Sequence, residues 1–111
     1  MYARVSTYEG GTTEDYDAGL DRLEAEVAPR IRAMPGYRGV LSLVDRSTGR
    51  SLSITLWEDE DAIAATREEA DRVRAQAAEF SGASIGEVVE YEVGFSDLPG
   101  PSAGAGEPRS P

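Results

Sequence analysis

Arg4 sits inside a strand-like stretch, flanked by Ala3 and Val5. A guanidinium there is expensive to bury unless it is paired. Its fixed fork of donors suits a phenolate or a carboxylate. The competing role is an ion pair to Glu90 or Glu92 on a neighbouring strand, since charges on strands often pair across them. Trp57, the only Trp of the chain, ends a second strand-like stretch. Its indole can stack on a planar aromatic molecule, although anchoring the core at a strand–helix junction is the commoner use. Tyr2, Tyr8, Tyr37 and Tyr91 offer hydroxyls that can bind a phenolic ligand or steer its deprotonation. For any single one, aromatic packing with a solvated hydroxyl is the commoner role. Glu87, Glu90 and Glu92 are carboxylates that could act as bases, but such groups near solvent more often solubilise a strand.

Other clusters carry less. The acidic run Glu58-Asp59-Glu60-Asp61 lacks the spaced oxygen ligands and central Gly of a calcium loop. Its place at a helix start explains it, because acids are favourable at the positive end of the dipole. No metal is expected. Gly10-Gly11 lacks the spacing and the Lys of a phosphate loop.

The absences exclude more. The chain has 111 residues, a net charge of −10, no His and no Cys, and every basic residue is Arg. Without His or Cys there is no Ser-His-Asp triad, no thiol nucleophile, no His-held haem, no structural zinc site and no disulfide. The charge opposes binding to nucleic acid or to an anionic membrane surface. No apolar run approaches the ~18 residues of a spanning helix, and the first residues lack a signal-peptide core. The expected compartment is the cytoplasm.

These side chains need elements to position them. Tyr2 to Tyr8 alternates as a strand. Thr12 or Thr13 can cap a helix running to about Ala33, on which Tyr16, Leu20, Leu23, Val27, Ile31 and Met34 share one face. Pro29 falls inside it and predicts a kink. Tyr37 to Asp45 and Ser51 to Trp57 read as a hairpin. In the second strand Leu52, Ile54 and Leu56 alternate with Ser51, Ser53, Thr55 and Trp57. A second helix from about Asp59 to Phe80 buries a stripe through Ile63, Thr66, Ala70, Val73 and Ala77, and Gly82 caps it. Ile85 to Phe95 reads as a last strand with Ile85, Glu87, Val89, Tyr91, Val93 and Phe95 on one face. The domain is then residues 1–95. Residues 96–111, of which 12 are Gly, Pro, Ser or Ala, read as a flexible tail.

The order βαββαβ predicts an α+β, ferredoxin-like domain, a four-stranded antiparallel sheet with two helices on one face. Val40, Val44 and Val88 oppose Leu41, Leu43 and Tyr91, so both sheet faces carry apolar residues. The face without helices would be an exposed apolar patch, and a second copy of the chain is expected to cover it.

Ala3-Arg4-Val5, Pro29, Met34-Pro35-Gly36-Tyr37-Arg38-Gly39, Val44-Asp45-Arg46, Leu56-Trp57-Glu58 and Tyr91-Glu92-Val93 resemble the antibiotic biosynthesis monooxygenase family over residues 2–95. The resemblance implies a dimeric α+β barrel with a ligand pocket between helices and sheet in each subunit. Family members include cofactor-independent oxygenases that convert polyphenolic anthrones to quinones, and haem degraders. The haem branch relies on an Asn in the first strand and a Trp and a His on the second helix. This chain has no Asn, and Thr66 and Gln76 stand where the helical Trp and His would lie. Haem degradation is therefore not expected.

The leading expectation is a homodimeric domain that binds a planar, largely apolar small molecule, with Arg4, Tyr37, Trp57, Thr66 and Tyr91 as substrate-binding candidates. No catalytic residue is assigned and no cofactor is expected. Cofactor-free oxygenation is the likeness-based activity. A non-catalytic ligand-binding or dimerisation module is the alternative.

Overall fold

The computed structural model describes residues 1–99. The expected tail lies outside the described residues from position 100 onward. β1 (Tyr2–Glu9) leads to α1 (Thr13–Arg22), a π-helical turn (Leu23–Val27) and α2 (Ala28–Arg32). β2 (Tyr37–Val44) and β3 (Ser51–Trp57) form the hairpin, followed by α3 (Glu60–Ala65), α4 (Arg67–Ser81) and β4 (Ser84–Glu92). The four strands form one antiparallel sheet in the order β2-β3-β1-β4. This is the expected ferredoxin-like topology, with each long helix divided in two. Among the described residues no helix is long and apolar enough to cross a membrane.

The helix starts follow their caps. Thr12 Oγ1 accepts from the Asp15 N–H at 3.0 Å. Asp59 Oδ1 accepts from the Ala62 N–H at 2.9 Å, which gives the acidic run its structural role. At the other end of α4, Gly82 adopts the left-handed cap conformation, φ 66°.

The first helix is disturbed beside Pro29, as expected, and the second departs from the expected continuous rod. Pro29 has no N–H, and its ring would crowd the Ala25 carbonyl in an unbroken helix. The π turn before it relieves this, because the Ala28 N–H reaches back to the Leu23 carbonyl. The second helix breaks at Thr66, where ψ swings to 2°. The Thr66 hydroxyl donates to the carbonyls of Ala62 at 2.9 Å and Ile63 at 3.2 Å. Such back-bonding competes with the helix ladder and bends it.

Register sorts the strand residues onto two faces. Rows crossing the sheet on the helix side include Val40–Thr55–Arg4–Glu90 and Ser42–Ser53–Ser6–Val88. Rows on the open side include Leu41–Ile54–Val5–Val89 and Gly39–Leu56–Ala3–Tyr91. The last strand differs from expectation in two ways. It ends at Glu92, so Phe95 lies beyond it. A bulge opposite Thr7 also pairs Ile85 with Tyr8, taking Ile85 out of line with Val89 and Tyr91.

The core gathers around Trp57, with Val27, Ile31, Met34, Ile63 and Val73 buried against it. At the other end of the layer the hairpin turn meets the start of α1. There Gly49 is buried with φ 79°, and a side chain on it would run into the Gly11 carbonyl oxygen. Backbone cannot give way as a flexible side chain does. Gly49→Ala is therefore expected to lose about 2–4 kcal/mol, the left-handed penalty plus overlap. Gly94→Ala, with open space around it, is expected to stay within about 0.5 kcal/mol of the parent. Urea unfolding of the two variants measures the contrast.

Candidate functional site

Between the helices and the sheet lies a cavity of about 110 Å³. Its helix wall is apolar, built from Leu20, Leu23, Val27, Ile31, Val73 and Phe80. Its floor is the helix-side face of the sheet, where Ser6, Ser42, Ser53 and Thr55 present short hydroxyls. Short side chains leave space that the aliphatic face of the same strands would fill. Leu20 and Leu23, on the expected helix stripe, are only half-buried because the cavity lies beside them. Tyr16 closes one side, its hydroxyl 2.7 Å from Ser42 Oγ.

Arg4 lines this cavity and is 3% exposed. Both expected roles bear on it. Its Nε and Nη2 donate to Glu90 Oε2 at 3.2 and 3.1 Å, and Nη2 also donates to the Ile63 carbonyl at 2.7 Å. Nη1 is buried without a partner among the described residues. Arg67 holds the same carboxylate, its Nη2 2.7 Å from Glu90 Oε1. Burial opposes the charge of Arg4 and pushes its pKa down, while Glu90 works the other way. The Glu90 carboxyl is held below its ordinary range, first by its hydrogen bonds from Arg67, with Arg4 adding to them against the effect of burial.

Trp57 is 1% exposed and belongs to the core, yet it also lines the cavity. Its Nε1–H donates to Thr55 Oγ1 at 3.0 Å, and the Arg4 guanidinium lies 5.5 Å from its ring centroid. Tyr37 packs edge-on against Trp57, ring centroids 6.3 Å apart, and so supports the site from outside it. The other two candidates lie elsewhere. Thr66 is buried with its hydroxyl spent on its own helix. Tyr91 stands 54% exposed on the open face of the sheet, opposite the cavity.

Two residues escaped the sequence reading. Arg74 lines the cavity at 7% exposure, with Nε 2.9 Å from Ser6 Oγ and Nη1 2.6 Å from Asp71 Oδ1. Its position four residues after Ala70 puts it on the buried side of the helix, which was the available signal. Tyr16 was counted as stripe, not as a hydroxyl. Gln76, which stands where the haem branch has its His, accepts a hydrogen bond from Arg30 instead.

The shape of the chain can be placed among known proteins. It matches a monooxygenase of Streptomyces coelicolor solved with nanaomycin D at a TM-score of 0.64, with 15% identity over 89% of this chain and 92% of that one. It matches a haem degrader of Mycobacterium tuberculosis solved with two haems in its active site at a TM-score of 0.64, with 18% identity over 88% and 100%. The chain has the antibiotic biosynthesis monooxygenase fold. At these identities the likeness is one of fold. No family model matches the sequence. An uncharacterized protein of M. tuberculosis strain H37Rv is 34% identical over 93 residues, 84% of this chain and 41% of its own length. The chain thus spans less than half of that relative.

Of the side chains that the resemblance assigns to the haem branch, this chain has neither the Asn nor the His. The chain supplies no imidazole and no thiolate as an axial ligand. Among the described residues no three acidic side chains gather as a metal site would need.

The Arg4–Glu90 pair makes stability depend on acid. A carboxyl whose folded pKa lies below its unfolded one stabilises the fold above the unfolded value, and the gain is lost as pH falls through the folded value. For Glu90 that loss runs downward from the ordinary value of 4.5. Glu90→Gln is expected to lose about 2–4 kcal/mol at pH 7, somewhat below a fully buried pair because Glu90 is part-exposed. The gap between parent and variant is expected to narrow below pH 4.5, read by urea unfolding across pH.

Proposed function

We propose that this chain is a small-molecule-binding domain whose cavity takes a planar, largely apolar ligand between the helix wall and the sheet floor. One observation carries the reading: an apolar cavity is floored by hydroxyls and bordered by Arg4, one of whose nitrogens is buried without a partner among the described residues. Binding sites combine an apolar lining with a few convergent polar groups in this way. A core built only for stability seldom leaves a buried donor open.

The second reading is catalytic. The fold neighbour solved with nanaomycin D is described as a monooxygenase, and cofactor-free oxygenation needs only a substrate that can give up its own electrons. An anthrone methylene reacts with O2 to give the quinone carbonyl and one water. The substrate must first lose a proton to become a carbanion or phenolate. Among the described residues the cavity lining holds neither carboxylate nor imidazole. Arg4 and the hydroxyls would therefore act by stabilising the anion. This favours binding as the primary reading.

The open sheet face supports a homodimer. Leu41, Leu43 and Tyr91 are exposed there, beside half-buried Leu52, Ile54 and Leu56. The rows Gly39–Leu56–Ala3–Tyr91 and Leu41–Ile54–Val5–Val89 carry no charge, in a chain with a net charge of −10. A flat apolar surface of this kind is self-complementary under two-fold symmetry.

Two measurements test these proposals. Trp57, as the only Trp, reports on the cavity. A panel of anthrones, quinols and simpler aromatic compounds is expected to change its fluorescence and raise the melting temperature. Oxygen uptake with the same panel, without cofactor, separates catalysis from binding. A panel that moves neither signal sinks the ligand-binding reading. Light scattering at micromolar concentration is expected to give twice the 11.9 kDa chain mass, falling to one chain in Ile54→Glu. A parent monomer, or a dimer that survives Ile54→Glu, removes this face as the interface.

A further inference from the structure

We infer that the cavity is selective for an anion, and that its ligand is an aromatic carboxylate held at Nη1 of Arg4. The inference rests on the small-molecule-binding reading and names the class of molecule. Its first support is the unpartnered donor. Glu90 and the Ile63 carbonyl occupy Nε and Nη2 of Arg4. Nη1 remains buried and unpaired among the described residues, on a side chain that lines the cavity. Specific buried donors without a partner are rare, and the cavity that Arg4 lines is where an acceptor can be brought to it.

The second support is the sign of the local charge. Arg4 and Arg74 both line the cavity, and no carboxylate does among the described residues. The nearby acids are already engaged. Glu90 serves Arg4 and Arg67 together, and Asp71 serves Arg74 from the surface. Three guanidiniums thus share two carboxylates, which leaves a surplus of one positive charge. This occurs in a chain whose net charge is −10. A monoanion balances the cluster.

The third support distinguishes a carboxylate from a phenol. Both present an oxyanion to Arg4 once ionised. A phenol, with a pKa of about 10, must surrender its proton on binding, whereas a carboxylic acid, at about 4, arrives ionised at neutral pH. With neither carboxylate nor imidazole among the described lining residues to take a proton, the pre-ionised group is favoured. The helix wall then receives the ring. The volume of about 110 Å³ is below that of a cavity of about 150 Å³ that accepts benzene, so the ligand is of single-ring size at most without movement of the walls.

Calorimetric titration with matched pairs tests this: benzoate against benzamide, and 2-naphthoate against 2-naphthamide. Each pair shares its shape and differs in charge. The acid is expected to bind about 10- to 100-fold more tightly than its amide at pH 7, the range for a charge-assisted hydrogen bond. The preference is expected to vanish in the double variant Arg4→Gln/Glu90→Gln, which removes the buried charge together with its partner. Circular dichroism checks that this variant folds. Should it not fold, Arg74→Gln is the second variant, expected to shrink the preference several-fold. Amides that bind as tightly as acids overturn the inference while leaving the binding reading intact. So does a preference that survives in the folded variants. Binding by neither member of either pair also overturns the inference, and the binding reading is then decided separately by the panel of anthrones, quinols and simpler aromatic compounds.

Discussion

A guanidinium buried as deeply as Arg4 must have its charge and its donors met from within the fold, since water does not reach it. That demand reaches three elements. β4 has to bring Glu90 directly opposite Arg4, and a one-residue slip would turn Glu90 to the other face. The bulge that disturbs the β1–β4 pairing lies further along, opposite Thr7, so the Arg4–Glu90 row keeps its register. The helix above has to present a carbonyl. It breaks at Thr66, and the Ile63 carbonyl at that break accepts from Arg4. Arg67, the first residue after the break, closes on the other oxygen of Glu90. The break, the register and the ion pair are parts of one solution to one buried charge.

A second constraint follows from how side-chain size is divided between the two faces of the sheet. In an ordinary two-layer domain the large aliphatic residues of the strands face the helices. Here Leu41, Ile54, Leu56 and Val5 face away, and the helices cover Ser6, Ser42, Ser53 and Thr55. Packing is dense around Trp57 and loosens toward the serine row, where the helix side chains meet hydroxyls too short to fill the gap. The aliphatic surplus has to be covered elsewhere. The cavity and the open apolar face are thus two results of the same alternation.

Much of this was legible in the sequence. The period-two alternation of Ser51 to Trp57 announced a strand with one apolar and one small-polar face, and the grouping of Val40, Val44 and Val88 against Leu41, Leu43 and Tyr91 is the grouping the register produces. The alternation did not say which face the helices cover, because that depends on pairing between strands far apart in the chain. Thr66 sat correctly on a buried stripe, but its back-bonding to Ala62 and Ile63 is a choice between helical and side-chain hydrogen bonds that periodicity does not register. Arg74 was hidden by its charge. Helical geometry places it with Ala70 and Ala77, but an Arg on a helix is ordinarily solvated, and this one is buried against Ser6. Tyr91 misled for the opposite reason, since an aromatic on a strand looks the same from sequence whichever face it occupies.

The sign of the charge changes between the outside of the domain and its interior. The surface acids give the chain its negative total, and the cavity is bounded by Arg4 and Arg74. At physiological ionic strength charges on the surface are screened over about 8 Å. An anion is therefore neither strongly repelled from afar nor steered toward the site, and discrimination has to occur at contact. Inside, Arg4 is withdrawn from water, so its hydrogen bonds act in a low dielectric where an unmatched donor is costly and a matched one strong. Selectivity in such a site does not depend on a large excess of charge. It depends on Glu90 satisfying most of Arg4 and leaving one nitrogen open.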